Sequence, residues 1–195
     1  MRKQVTLITG ASGEIGHGLI ERLAAEGETS IITIDLKPLD PELARLVDHE
    51  YIGSILETHL LERILSEYLV DAVYHLAALL STRTEFTPLT GHEVNVEGTL
   101  KLLDFAQAQG ESHGRAVTFL YPSSIAAYGL PDLETKEAAG AVREHEWNVP
   151  TTMYGCNKLY CEHLGRYYGF HYKQLAAEVL SGKVDFRAIR FPGLI

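Results

Sequence analysis

Five short apolar runs punctuate the chain: QVTLIT (4–9), SIITID (30–35), DAVYHLA (71–77), AVTFLY (116–121) and VDFRAIRF (184–191). Most are near-continuous instead of strictly alternating, which is the pattern of parallel strands covered on both faces. Between them, stretches near 14–26, 57–68, 89–109 and 152–180 carry helical spacing, and YIG at 51–53 reads as a further short strand. Strand and helix alternating in this way predict an α/β protein with a doubly wound parallel sheet and helices on both faces. There is no internal repeat, low-complexity tract or interdomain linker. The stretch 129–150, with Pro131, Gly140, Pro150 and many charges, reads as a long surface loop. With 46% apolar residues, 195 residues suffice for one core, so 1–195 reads as one domain.

Charge narrows the partners. Seventeen basic against 26 acidic residues give a net charge of −9 without a basic stripe, which argues against nucleic acid and anionic membrane surfaces and for a small-molecule substrate. No apolar run approaches the ~20 residues of a membrane span, and Met1 leads directly into a strand, so the expected location is cytoplasmic. Cys156 and Cys161 are the two cysteines, too few for a disulfide framework and read as reduced structural thiols. The nine histidines show no ligand spacing, and no metal is expected.

The first strand leads into Gly10-Ala-Ser-Gly13-Glu14-Ile15-Gly16 and then a helix. Gly10 permits the tight turn, Gly13 lets a pyrophosphate approach the backbone, and Gly16 allows close packing of helix on strand. The free N–H groups and partial positive charge of the helix start then hold phosphates. Asp35 ends the second strand about 20 residues on, where a carboxylate accepts the hydroxyls of an adenosine ribose. It repels a 2′-phosphate, so the expected cofactor is NAD, although Lys37 tempers that repulsion.

A second signal is Tyr154 and Lys158, four residues apart in TMYGCNKLYCE. On a helix this spacing puts both on one face with Cβ atoms about 5–6 Å apart. A free phenol with a pKa near 10 is a poor base at neutral pH, and an adjacent ammonium stabilises the phenolate. Alone, the pair is equally a solvated Tyr and Lys on an exposed face.

Taken together, TGASGEIG, HLAA (75–78), NVEGT (95–99), PSSIAAYG (122–129) and YGCNK (154–158) resemble the extended short-chain dehydrogenase/reductase family, also called the NAD-dependent epimerase/dehydratase family. The resemblance spans the chain and implies a Rossmann sheet. It implies that Ser124, Tyr154 and Lys158 are catalytic, and that Lys158 also holds the nicotinamide ribose. It places Leu76, Ala77 and Ala78 along the pyrophosphate and nicotinamide ribose, Asn95 as a brace of the adjoining strand, and Phe191 against the nicotinamide. Glu14 and Ile15 fall within the glycine loop. One departure concerns adenine: Gly53-Ser54 stands where the family has Gly-Asp, leaving Ser54 and Ile55 for that contact. A homodimer through helices near 89–109 and 152–172 is also implied, with Leu100, Leu103 and Ala106 as a possible stripe.

Three functions compete. HLAALLS and the Tyr154 helix leading to RAIRFPGLI are similar to the short-chain type of L-threonine 3-dehydrogenase, which implies a small hydroxy amino acid bordered by Ser81, Ser124 and Tyr154. A nucleotide-sugar 4-epimerase or dehydratase using bound NAD shares the same motifs. The stretch HYKQLAAEVLSGKV (171–184) departs from the compact connection of the threonine enzymes. A non-catalytic NAD sensor or scaffold is the third reading, opposed by the complete Ser, Tyr and Lys set. Because PGLI runs out where a loop back to the active site belongs, a substrate lobe is expected beyond residue 195.

Overall fold

The computed structural model describes residues 2–177 and 181–192. In chain order these form β1 (Lys3–Thr9), α1 (Glu14–Glu26), β2 (Ile31–Asp35), α2 (Pro41–Ala44), β3 (His49–Ile52), α3 (Thr58–Glu67) and β4 (Tyr68–His75). Then follow α4 (Ser81–Phe86), α5 (Pro88–His92), α6 (Gly98–His113), β5 (Val117–Ser124), α7 (Leu133–Ala139), α8 (Met153–Arg166) and β6 (Val184–Phe191). All five strand pairings are parallel, in the order β3-β2-β1-β4-β5-β6. The order reverses between β1 and β4, and at such a switch point the loops leaving the two strands part to open a crevice. This is the doubly wound Rossmann sheet that the alternating pattern predicts.

Both faces of the central strands are covered, as their continuous apolar runs require. Val5 and Leu7 join a core with Ile64, Leu102, Leu103 and Phe119, while Ile8 joins a separate one with Ile20, Leu39 and Leu43. Successive side chains of one strand thus feed two layers.

Several expected elements change. The helix expected at 89–109 is α5, a π-helical turn over Glu93–Glu97 and α6. The one expected at 152–180 is α8 followed by a π-turn over Tyr167–His171, and its last residues, 178–180, lie outside the described residues. The expected loop at 129–150 contains α7. Of the apolar stripe assigned to a dimer, Leu103 and Ala106 are fully buried in the core, whereas Leu100 is 39% exposed, so only part of it faces the sheet. Helical periodicity marks a buried stripe without saying what buries it.

Candidate functional site

The glycine loop is shaped by close approaches. Gly10 has φ +71°, and a Cβ there would lie 2.5 Å from the backbone nitrogen of Ala77. Its absence lets β1 and the chain leaving β4 run side by side. A Cβ on Gly16 would lie 2.4 Å from the Ala11 carbonyl, so α1 packs directly on the turn it leaves. Gly13 caps α1 without a side-chain hydrogen bond, leaving the helix-start N–H groups to an anion. One Asp35 oxygen accepts from Ser12 N at 3.0 Å and the other from Lys37 N at 3.1 Å, which tethers the carboxylate to the glycine loop with lone pairs to spare. An uncapped cradle and an adjacent carboxylate fit the two ends of an adenosine diphosphate. Ile15, Leu76 and Phe191 meet in one apolar recess of about 220 Å³ with Leu19, Leu120 and Ile189. Glu14 is exposed at the start of α1.

Other expected cofactor residues are differently employed. Asn95 is buried and its amide clamps the loop after β4, accepting from Leu79 N at 2.7 Å and donating to Leu79 O at 3.0 Å. It braces that loop, where a brace of the adjoining strand is what the resemblance implies, and its amide is engaged there. Ile55 is buried in the core against Gly98, and Ser54 Oγ accepts from Leu56 N at 3.2 Å. Ala77 and Ala78 line the half-buried stretch after β4, and Ser81 starts α4 in an exposed position.

Ser124 ends β5, and its Oγ accepts from Ala126 N at 3.1 Å, starting a single 3₁₀ turn at Ile125–Ala127. α8 begins against that turn. Thr152 caps it by accepting from Gly155 N at 3.0 Å, and Glu85 of α4 accepts from Met153 N at 3.1 Å. A Cβ on Gly155 would lie 2.1 Å from the Ala126 carbonyl, so glycine there admits the helix that carries Tyr154 to the end of the strand that carries Ser124. Lys158 Nζ donates to Pro122 O at 2.7 Å and stands 4.7 and 5.4 Å from the ring centroids of Tyr121 and Tyr154. Burial lowers this ammonium to about 8 and raises the Tyr154 phenol. The helical spacing predicts the opposite direction for the phenol. The difference arises because burial, which disfavours the phenolate, outweighs the neighbouring charge.

His75 was expected only as part of HLAA, but it is the centre of a buried chain. Thr99 Oγ1 donates to Asn95 O at 2.6 Å, so it accepts from His75 Nε2–H at 2.9 Å, and His75 Nδ1 accepts from Thr9 Oγ1 at 2.8 Å. Burial, reinforced by the Lys158 charge, lowers the imidazole to about 3 and keeps it neutral. The unfolded chain, with an ordinary pKa of about 6.5, binds a proton between pH 6.5 and 3 that the folded protein refuses, so stability falls as pH falls through this window. From pH 7 to 5 the loss from this group is about 2 kcal/mol. Urea midpoints at the two pH values should show it, and His75→Gln should flatten the dependence; an unchanged slope would remove His75 as its source.

Residues 6–182 match the model of the NAD dependent epimerase/dehydratase family, and the chain belongs to this family. The cofactor is accordingly NAD. An uncharacterized epimerase/dehydratase of Staphylococcus aureus (strain USA300) is 30% identical over 194 residues, covering 97% of this chain and 53% of that protein. The L-threonine dehydrogenase of Clostridium difficile is 31% identical with a TM-score of 0.78, over 99% of this chain and 54% of its own. The UDP-glucose 4-epimerase of Brucella ovis in complex with NAD is 26% identical with a TM-score of 0.73, over 96% and 51%. The chain spans about half the length of the curated relatives it matches.

Proposed function

We propose that this chain carries the NAD-binding and proton-transfer machinery of a dehydrogenase that oxidises a small hydroxy substrate, an L-threonine-like 3-hydroxy amino acid. The observation that supports the reading most is the packing of Gly155 on the Ala126 carbonyl, which sets the start of α8, with Tyr154, against the turn that follows Ser124. The likeness to L-threonine dehydrogenases at 30–31% identity supports the substrate class.

In this reading the N–H groups at the start of α1 hold the pyrophosphate, and Asp35 accepts from the adenosine ribose. Bound NAD supplies the hydride acceptor. Ser124 donates to or accepts from the substrate hydroxyl and fixes its oxygen, while Tyr154 as phenolate takes the hydroxyl proton. Loss of that proton from the oxygen, and of a hydride to the cofactor from the carbon that bears it, leaves a ketone. Lys158, anchored by Pro122 O, provides the neighbouring positive charge and a donor toward the nicotinamide ribose. Ser81 is a candidate for the substrate carboxylate. Gly193, Leu194 and Ile195, expected at the same pocket, lie outside the described residues.

The second reading, a nucleotide-sugar epimerase, is supported by likeness to UDP-glucose 4-epimerases. An NADH-formation assay with L-threonine and L-serine, run beside an epimerisation assay with UDP-galactose, separates the two. NADH from threonine supports the dehydrogenase; sugar interconversion without net NADH, and silence with threonine, would move the assignment to the epimerase.

A homodimer and a cytoplasmic location go with this reading. Since Leu103 and Ala106 are buried, the dimer contact falls to residues such as Leu89 and Tyr160, which are 87% and 52% exposed on α5 and α8. Sedimentation should give a dimer at micromolar concentration; a monomer refutes it. Among the described residues no helix is long and apolar enough to cross a membrane.

A further inference from the structure

One buried polar cluster is used by neither the nucleotide crevice nor the hydroxyl chemistry. Arg190, next to Phe191 on β6, donates from Nε and Nη2 to the two carboxylate oxygens of Glu162 at 2.8 and 2.7 Å. The side chains are only 10% and 15% exposed, and this two-pronged geometry is among the most orienting that a protein can build. Glu162 lies four residues beyond Lys158 and eight beyond Tyr154, on the same side of α8. It also accepts a hydrogen bond from Ser123, the neighbour of Ser124. Burial alone would raise the Glu162 carboxyl, but the hydrogen bonds from Arg190 and Ser123 hold it below the ordinary value.

The third arm of the guanidinium reaches elsewhere. Nη1 donates to Glu144 O at 3.1 Å and Asn148 Oδ1 at 2.9 Å, and the group lies 4.4 Å from the ring centroid of Tyr128. One side chain therefore joins β6, α8, the turn after Ser124 and the segment 143–149. That segment bears on the turn directly: Gly129 N donates to Trp147 O at 2.8 Å, and Val149 O lies where a Cβ on Gly129 would be. Trp147 has φ +54°, an unfavourable conformation for a bulky side chain that the surrounding contacts must maintain. Desolvating an ion pair is costly, so what a buried pair supplies most reliably is geometry.

We propose that Arg190 and Glu162 are positioning residues: their ion pair clamps segment 143–149 across the end of β5 and so sets the place of Ser124 opposite Tyr154. The coupling to chemistry rests on the roles given to Ser124 and Tyr154 above. The clamp itself does not.

Trp147 is the sole tryptophan of the chain and sits in the clamped segment, 39% exposed, which makes its fluorescence a direct report. Arg190→Gln should increase acrylamide quenching of Trp147 about two- to threefold and shift its emission to the red, because the segment loses its anchor and opens locally. Asn148→Ala should do the same in a protein whose ion pair is intact, which guards against misfolding caused by an unpaired Glu162 carboxylate. Arg190→Lys keeps the charge but not the fork, and should restore folding without restoring the low quenching. Unchanged quenching in folded Arg190→Gln and Asn148→Ala overturns the clamp. For the coupling, Asn148→Ala should raise KM for the hydroxy substrate about fivefold or more while kcat stays within about twofold, a split that general destabilisation does not produce. A loosened Trp147 with unchanged KM overturns the coupling. Since quenching needs no turnover, failure of the dehydrogenase reading leaves the test of the clamp intact.

Discussion

Tyr154→Phe should lower turnover by about 10²–10⁴-fold, the usual worth of a positioned acid–base group, while NAD affinity stays within about twofold. The change removes one oxygen and keeps the ring that stands beside Lys158, so the buried ammonium retains its face contact and its bond to Pro122 O. Lys158→Ala should instead lose both turnover and NAD affinity. It deletes a cation that is 4% exposed and placed between two aromatic rings and a carbonyl. The Tyr154 phenol lies above its ordinary value and the Lys158 ammonium near 8, both because of burial. The lysine thus loses its charge at a lower pH than the phenol loses its proton, so phenolate beside ammonium is a minor form whose population rises with pH up to about 8 and levels off there, and activity should follow it. Steady-state rates with calorimetric NAD titration of both variants decide the matter. If Tyr154→Phe retains most of the wild-type rate, the proton acceptor is another group.

Gly10→Ala should destabilise the fold by about 2–4 kcal/mol and weaken NAD binding at least tenfold, combining backbone strain with overlap that has no soft neighbour to absorb it. The added Cβ would lie 2.5 Å from Ala77 N and 2.8 Å from Ala77 Cα and Leu76 C, all backbone atoms of the chain leaving β4. To make room, β1 and β4 must part at the mouth of the crevice. Gly27→Ala isolates the strain term: its φ is +67° but nothing lies within 4 Å of its Cβ position, so a loss of about 1 kcal/mol is expected. Urea unfolding of the two variants should show the gap. Equal losses would mean that the approach of Ala77 to Gly10 contributes nothing.

Much of this site is written in short stretches of sequence because the physics there is local. A left-handed turn between a strand and a helix requires glycine at Gly10 whatever surrounds it, and a four-residue spacing on α8 puts Tyr154 and Lys158 on one side. Asp35 is legible for a similar reason, since the end of the second strand in this topology has one place to go. Glu162 had a weak signal in its continued four-residue spacing from Lys158. Arg190 had none as its partner, because it stands 28 residues further on and nothing in the intervening sequence encodes where β6 will lie.

The sequence by itself determined the alternation of strands and helices, the glycine turn with its carboxylate, and the spacing that puts Tyr154 and Lys158 on one side of a helix, while Ser124 was singled out only through the family resemblance. The first three depend on dihedral preference or periodicity among near neighbours, and these hold before any packing occurs. Only the tertiary structure decided that Leu103 and Ala106 face the sheet, that His75 is a neutral link between Thr9 and Thr99, and that the Lys158 ammonium turns to Pro122 while burial raises the Tyr154 phenol. It also decided that one guanidinium joins α8 to segment 143–149. These outcomes depend on which surfaces meet once the β1–β4 switch has set the order of the strands. A buried group takes its charge state and its hydrogen-bond partners from that meeting, not from its own neighbours in the chain.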